Sequence, residues 1–178
     1  YCAGTKAGNV PAAAGDAAAF RGETLSMSVF VLPLSRVLLS LVFIFTGYAK
    51  VFGWGPADKP IINMDLWKTR VQGLKIPGTQ DALPNPDLLA QIVAYGELVG
   101  GILLFLGILS RVTAFGLFVF VILASVLGHA FWAFTDAGQQ FLQIQQFLKN
   151  MGIAAGLLMI VGMGGGAVGI DGMFRRAP

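Results

Sequence analysis

The chain has 178 residues, 56% of them hydrophobic and only 12% charged, whereas about a quarter of the residues of a soluble domain are charged. That balance excludes an ordinary water-soluble domain, and the net charge of +3 is scattered along the chain, which argues against a nucleic-acid interface. A single cysteine, Cys2, and a single histidine, His129, exclude an internal disulfide, a Cys-x-x-Cys dithiol enzyme, a bis-histidine haem and a multi-histidine metal site within this chain.

Residues 1–27 are rich in Ala and Gly with little periodicity and read as a tail. The first membrane span is predicted from Val29 to Phe52, with Pro33 in its first turns and Arg36 placed to reach the near surface as an interfacial anchor. Gly53-Trp54-Gly55-Pro56 ends it. In the long loop that follows, Leu66, Trp67, Val71 and Leu74 recur at helical spacing between Lys68 and Arg70, the pattern of a short helix over 65–74 lying at the membrane interface. Three further spans are predicted at 88–108, 111–133 and 141–163, each about 20 residues and so able to cross about 30 Å of hydrocarbon. Asn85 or Asp87 is placed to cap the second span. The second and third spans form a tight hairpin through Leu109-Ser110, and Gly96-x-x-x-Gly100 and Gly152-x-x-x-Gly156 permit close helix contact. The glycines from Gly162 to Gly169 end the last span, and residues 172–178 are a basic tail. The fold class is therefore all-α: an integral membrane four-helix bundle, residues 28–171, with an interfacial helix in its first loop.

Glu97 falls near the middle of the second span, where a carboxylate must face the bundle, be paired or be protonated. Antiparallel threading brings the ends of the first and third spans to its level, with Lys50 and Thr46 on one and His129 and Ser125 on the other. Gln143, Gln146 and Asn150 form a polar stripe at i, i+3, i+7 on the fourth. One polar pocket of Lys50, Glu97, Ser125, His129, Gln146 and Asn150 is expected. It reads either as an acid–base site holding a polar head group such as a quinone, a small anion or a relayed proton, or as a satisfied network that sets helix register. Trp54, Trp67, Trp132 and Arg111 are expected to anchor the spans at the interfaces. Basic residues divide evenly between the two sides. Arg111 on the tightest loop and Arg175-Arg176 after the last span favour both termini on the cytoplasmic side.

These residues resemble the DoxX family of small four-span membrane proteins. The resemblance rests on Arg36 through Gly47-x-x-Lys50, on Gly96-Glu97-x-x-Gly100-Gly101 through Arg111, on His129, and on Asn150 with Gly156. It implies a four-helix bundle in a bacterial-type inner membrane, with family relatives in quinone-reducing thiosulfate oxidation and in other membrane redox complexes. The family's acid, basic and histidine positions fall on Glu97, Lys50, Arg111 and His129. Expected partners are the lipid bilayer and other membrane subunits, with no covalent cofactor, and with a quinone or lipid as ligand. The leading reading is an accessory or anchoring subunit of a respiratory or photosynthetic redox assembly. The rivals are a quinone-linked oxidoreductase subunit of the thiosulfate:quinone type and a small-solute or proton transporter.

Overall fold

A computed structural model describes residues 12–79, 81–166 and 168–174. The elements are α1 (Ala12–Phe52), α2 (Met64–Gln72), α3 (Pro86–Leu106), α4 (Ser110–Gly128), a 3-10 turn (Phe131–Ala133), α5 (Ala137–Met163) and α6 (Ile170–Phe174). The described chain is all-α; its only β features are the isolated bridges Trp54–Ile62 and Lys75–Ala82 in the first loop. Four helical stretches are long and apolar enough to cross a membrane: Phe30–Phe52, Pro86–Leu106, Ser110–Ala133 and Ala137–Met163.

Boundaries move in ways the local chemistry explains. The first helix begins at Ala12 rather than at Val29, because the Ala-rich stretch ahead of the span has high helix propensity. Residues 1–11 of the expected tail and 175–178 of the basic tail lie outside the described residues. The interfacial helix is capped by Asn63, whose side chain accepts from Leu66 N–H at 2.9 Å. The second span starts at Pro86. Asn85 holds its N-cap position, left-handed (φ 45°) and without a side-chain cap bond, and the Asp87 carboxylate accepts from Gln72 at 2.8 Å. The third span is shorter as an α-helix than expected, ending at Gly128 before the 3-10 turn. The fourth starts earlier, at Ala137, because Asp136 accepts from Gln139 N–H at 2.8 Å as its N-cap. Beyond the glycines a short α6 returns over the bundle.

The spans form a ring. α1 packs most closely on α3 and α4 on α5; α3 meets α4 and α1 meets α5, while α2 lies on α3 and touches α1. The α1–α3 approach is nearly backbone to backbone. A Cβ on Gly47 would stand 2.6 Å from the Leu98 nitrogen, and one on Gly101 would stand 2.8 Å from the Ile44 nitrogen. Of the two glycine pairs expected to seat helices, Gly100 lies against Leu117 and Gly156 against Leu39, whereas Gly96 and Gly152 face open space.

The main apolar cluster of the core lies in the half of this ring nearer the α3–α4 hairpin. It comprises Phe43, Leu104, Ala114, Leu117, Val121, Ala154, Leu157 and Ile160. Toward the loop side, where α2 lies, the inward faces lose burial. On α5 the heptad-spaced series Leu157, Asn150, Gln143 runs from fully buried to half-buried, and on α4 Ser125 is buried while His129 is half-buried. α1 and α3 keep their facing sides covered throughout, with Arg36, Ser40, Phe43 and Ala49 buried on α1 and Ala90, Glu97 and Leu104 on α3, because the two helices lie against each other and α2 lies over α3.

Candidate functional site

Glu97 is 6% exposed and Lys50 12% by side chain, and they form a salt bridge between α3 and α1 through Glu97 Oε2. The other carboxylate oxygen, Oε1, accepts from the Thr46 hydroxyl one turn earlier on α1. Thr46 also lies 2.8 Å from the Val42 carbonyl oxygen. A hydroxyl has one proton and two lone pairs. With Glu97 ionised, Thr46 donates to it; with Glu97 protonated, Thr46 accepts from the acid and donates to Val42. The same geometry therefore serves both charge states of the acid.

The pair is capped from the loop side by Trp67 of α2. Its ring lies 4.5 Å from the Lys50 ammonium, a cation–π contact. The indole N–H donates to the Ala90 carbonyl at 3.0 Å. The ring of Trp67, a residue whose spacing reads as an interfacial anchor, faces the ion pair, because α2 packs on α3 with Val71 buried. Measured along the helices at 1.5 Å per residue, Lys50 stands about 21 Å and Glu97 about 15 Å from the level of Arg36 and Gly107. Glu97 thus sits near the middle of its span, and Lys50 reaches it from the loop side.

The single pocket expected from four helices resolves into separate groups. His129 Nδ1 meets Gln143 Oε1 at 2.8 Å, linking α4 to α5. Ser125 is buried but donates to the Val121 carbonyl of its own helix at 2.6 Å. Gln146 is exposed and accepts from Lys149. Asn150 is half-buried on the inward face between Gln143 and Leu157. Among the described residues, the hydrogen-bond partners of Glu97 come from α1, since α1 and α3 are held together by glycines while α4 and α5 pair with each other. Around His129, Phe131, Trp132 and Phe147 stack edge to face at centroid distances of 5.0–6.3 Å. Trp54 packs on Phe45 at 5.1 Å; it and Trp132 are about half exposed, at 49% and 51%. Arg111 is exposed on α4.

Arg36 departs furthest from expectation. It is 3% exposed and does not reach the surface, because the glycine-rich segment after α5 folds back over it. Its Nη1 donates to the Gly165 carbonyl at 3.0 Å. A Cβ on either Gly107 or Gly169 would stand 2.3 Å from that same nitrogen. The signal in the sequence was present: a run of glycines directly after a span leaves room for a large side chain, and Arg36 faces it. Among the described residues, no cluster of His, Cys, Asp and Glu could hold a metal ion.

Comparison with known proteins now places the bundle. The DoxX family model matches residues 31–130, which include Arg36, Lys50, Glu97, Arg111 and His129. The chain belongs to the DoxX family. It is 31% identical to inner membrane protein YphA of Escherichia coli over 79% of this chain and 88% of that protein. It is 25% identical to inner membrane protein YqjF of the same organism, over 80% of this chain and 91% of that one. No solved structure matches the chain. It is a multi-pass membrane protein of the DoxX family, and the Glu97–Lys50 pair is the most deeply placed acid–base group in its described spans.

Proposed function

We propose that this DoxX protein is an accessory membrane subunit of a redox assembly in a bacterial-type inner membrane, and that its Glu97–Lys50 pair lines a site for the head group of a quinone-class molecule. The observation that carries the reading is the ion pair at the edge of the half-open loop-side half of the bundle. Its two charges cancel. A small ion entering there would bring an uncompensated charge into low dielectric, whereas a neutral, dipolar head group would not. Lys50 keeps donors beyond the one used by Glu97, suited to a carbonyl oxygen. Half-buried His129, Gln143 and Asn150 supply further polar groups on α4 and α5.

The chain has one histidine and one cysteine, so electrons for such a head group come from a partner or a substrate. The subunit role is tested by purifying the tagged protein in mild detergent and identifying what accompanies it; a lone monodisperse species overturns that role. Head-group binding is tested in a Trp54→Phe/Trp132→Phe background, where Trp67 alone fluoresces. A short-chain quinone is expected to quench it saturably, about tenfold more weakly in Lys50→Gln, the loss of one charge-assisted hydrogen bond. Equal quenching in both proteins refutes binding at the pair.

The Thr46 arrangement favours a second reading, the quinone-linked oxidoreductase subunit of thiosulfate:quinone type, in which Glu97 exchanges a proton with the reduced head group. Glu97→Gln and His129→Ala then abolish quinone reduction in membranes, and unchanged turnover removes it. The neutral pair counts against an ion-carrying transporter. Both termini are read as cytoplasmic from Arg111 and Arg175-Arg176, which labelling of a terminal tag in intact and opened cells checks.

A further inference from the structure

The hairpin end of the bundle holds a second polar group that the loop-side reading does not use. α4 begins at Ser110, and the amides of its first turn point toward the returning α6. The Asp171 carboxylate accepts from Leu109 N–H at 2.9 Å and from Ser110 N–H at 2.7 Å. The Asp171 amide donates to the Gly107 carbonyl at 2.9 Å. Arg36, 3% exposed, packs against Gly107 and Gly169 on either side of this contact. Two buried donors stand over: Arg36 Nε and the hydroxyl of Ser110, which is 1% exposed, make no hydrogen bond. A helix N-terminus, a guanidinium and a hydroxyl together form the donor set that binds an oxyanion, and this set is larger than one carboxylate engages.

We propose that this is a phosphate site for a membrane lipid, occupied in cis by Asp171. The lipid assignment follows from the surroundings. Leu109, Val112 and Val168 next to it are 63%, 68% and 61% exposed, an apolar rim suited to acyl chains, and Arg111 is exposed beside them. The occupant is carried on a glycine hinge: Gly164, Gly166 and Gly169 have φ of 86°, 84° and 157°. Such residues give up much conformational freedom when the segment docks, so its release regains entropy and leaves the amides, Ser110 and Arg36 to an external phosphate.

The inference is independent of the quinone reading, and its test reads only stability. The full chain in neutral detergent is melted with added phosphatidylglycerol, with diacylglycerol of the same acyl chains, or with inorganic phosphate. In Asp171→Asn, phosphatidylglycerol is expected to raise Tm by several degrees through preferential binding to the folded state, with diacylglycerol inert and the unaltered chain responding little. Adding Ser110→Ala should diminish the rise. If Asp171→Asn does not fold, Asp171→Ser, whose shorter uncharged side chain keeps a hydrogen-bonding oxygen, carries the same comparison. A response no larger than that of the unaltered chain, or an equal response to diacylglycerol, overturns the site; an equal response to inorganic phosphate overturns its assignment to lipid.

Discussion

At the scale of the residue, the balance at Glu97 decides the character of the site. Truncating one member of a buried ion pair leaves the other charge buried and alone, typically at a cost of about 3–5 kcal/mol, whereas replacing both with apolar groups is often neutral. Glu97→Gln and Lys50→Met are each expected to lower stability by about 3 kcal/mol, and Lys50→Met combined with Glu97→Leu to recover most of it. A double-mutant cycle from unfolding in micelles checks this; strict additivity of the two changes would show that the pair does not interact. Trp67→Phe keeps an aromatic face for Lys50 but loses the bond to the Ala90 carbonyl, about 1 kcal/mol, readable in the same melts. The pairing of Glu97 with Lys50 and Thr46 could be read along the chain, since antiparallel threading brings the end of the first span to the level of Glu97. Lys50 lies one turn beyond Thr46, and both were visible as neighbours on one helix face. That Trp67 would turn onto Lys50 was not, since its amphipathic spacing fits an interfacial anchor equally well.

At the scale of the element, glycine decides which helices become partners. Gly47 and Gly101 let α1 and α3 touch through their backbones, and that contact delivers Thr46 and Lys50 to Glu97. Gly47→Ala or Gly101→Ala must push the helices apart. A cost of about 1–3 kcal/mol is expected, with a shift in Trp67 fluorescence as Lys50 moves. Gly96→Ala and Gly152→Ala, which meet open space, should be neutral or slightly stabilising through helix propensity. Thermal melts of the four variants rank them, and destabilisation by Gly96→Ala equal to that by Gly47→Ala would contradict the packing. The spaced pairs Gly96–Gly100 and Gly152–Gly156 look alike in the sequence, yet only one member of each is used inside the bundle. Which side of a helix faces inward is a property of its neighbours, and in an almost uniformly apolar span the hydrophobic pattern hardly marks it.

At the scale of the whole molecule, the bundle is sealed at one end and half-open at the other. The core from Phe43 to Ile160 fills the hairpin side, while on the loop side the inward residues of α4 and α5 are only half-buried. With Cys2→Ser as background, a cysteine at Asn150 is expected to react with a small maleimide in detergent, whereas one at Leu157, two turns along the same face, is expected to stay protected. Equal reactivity would remove the distinction between the halves. The hairpin end is closed by a connection between groups 129 residues apart in sequence, from Arg36 to Gly165.

The sequence by itself determined the class of this protein: four long apolar segments, one interfacial helix, and a lone acid within a span that has to be paired. Hydrocarbon imposes these consequences on any chain, because backbone and charge must be satisfied within it. Only the tertiary structure decided how the expected polar groups divide. α1 and α3 share a glycine contact, so Glu97 takes Thr46 and Lys50; α4 and α5 pair with each other, so His129 takes Gln143. Arg36 is buried because a segment more than a hundred residues away in sequence folds over it. Such choices depend on side-chain packing between helices of similar composition, a difference that exists only once the helices are side by side.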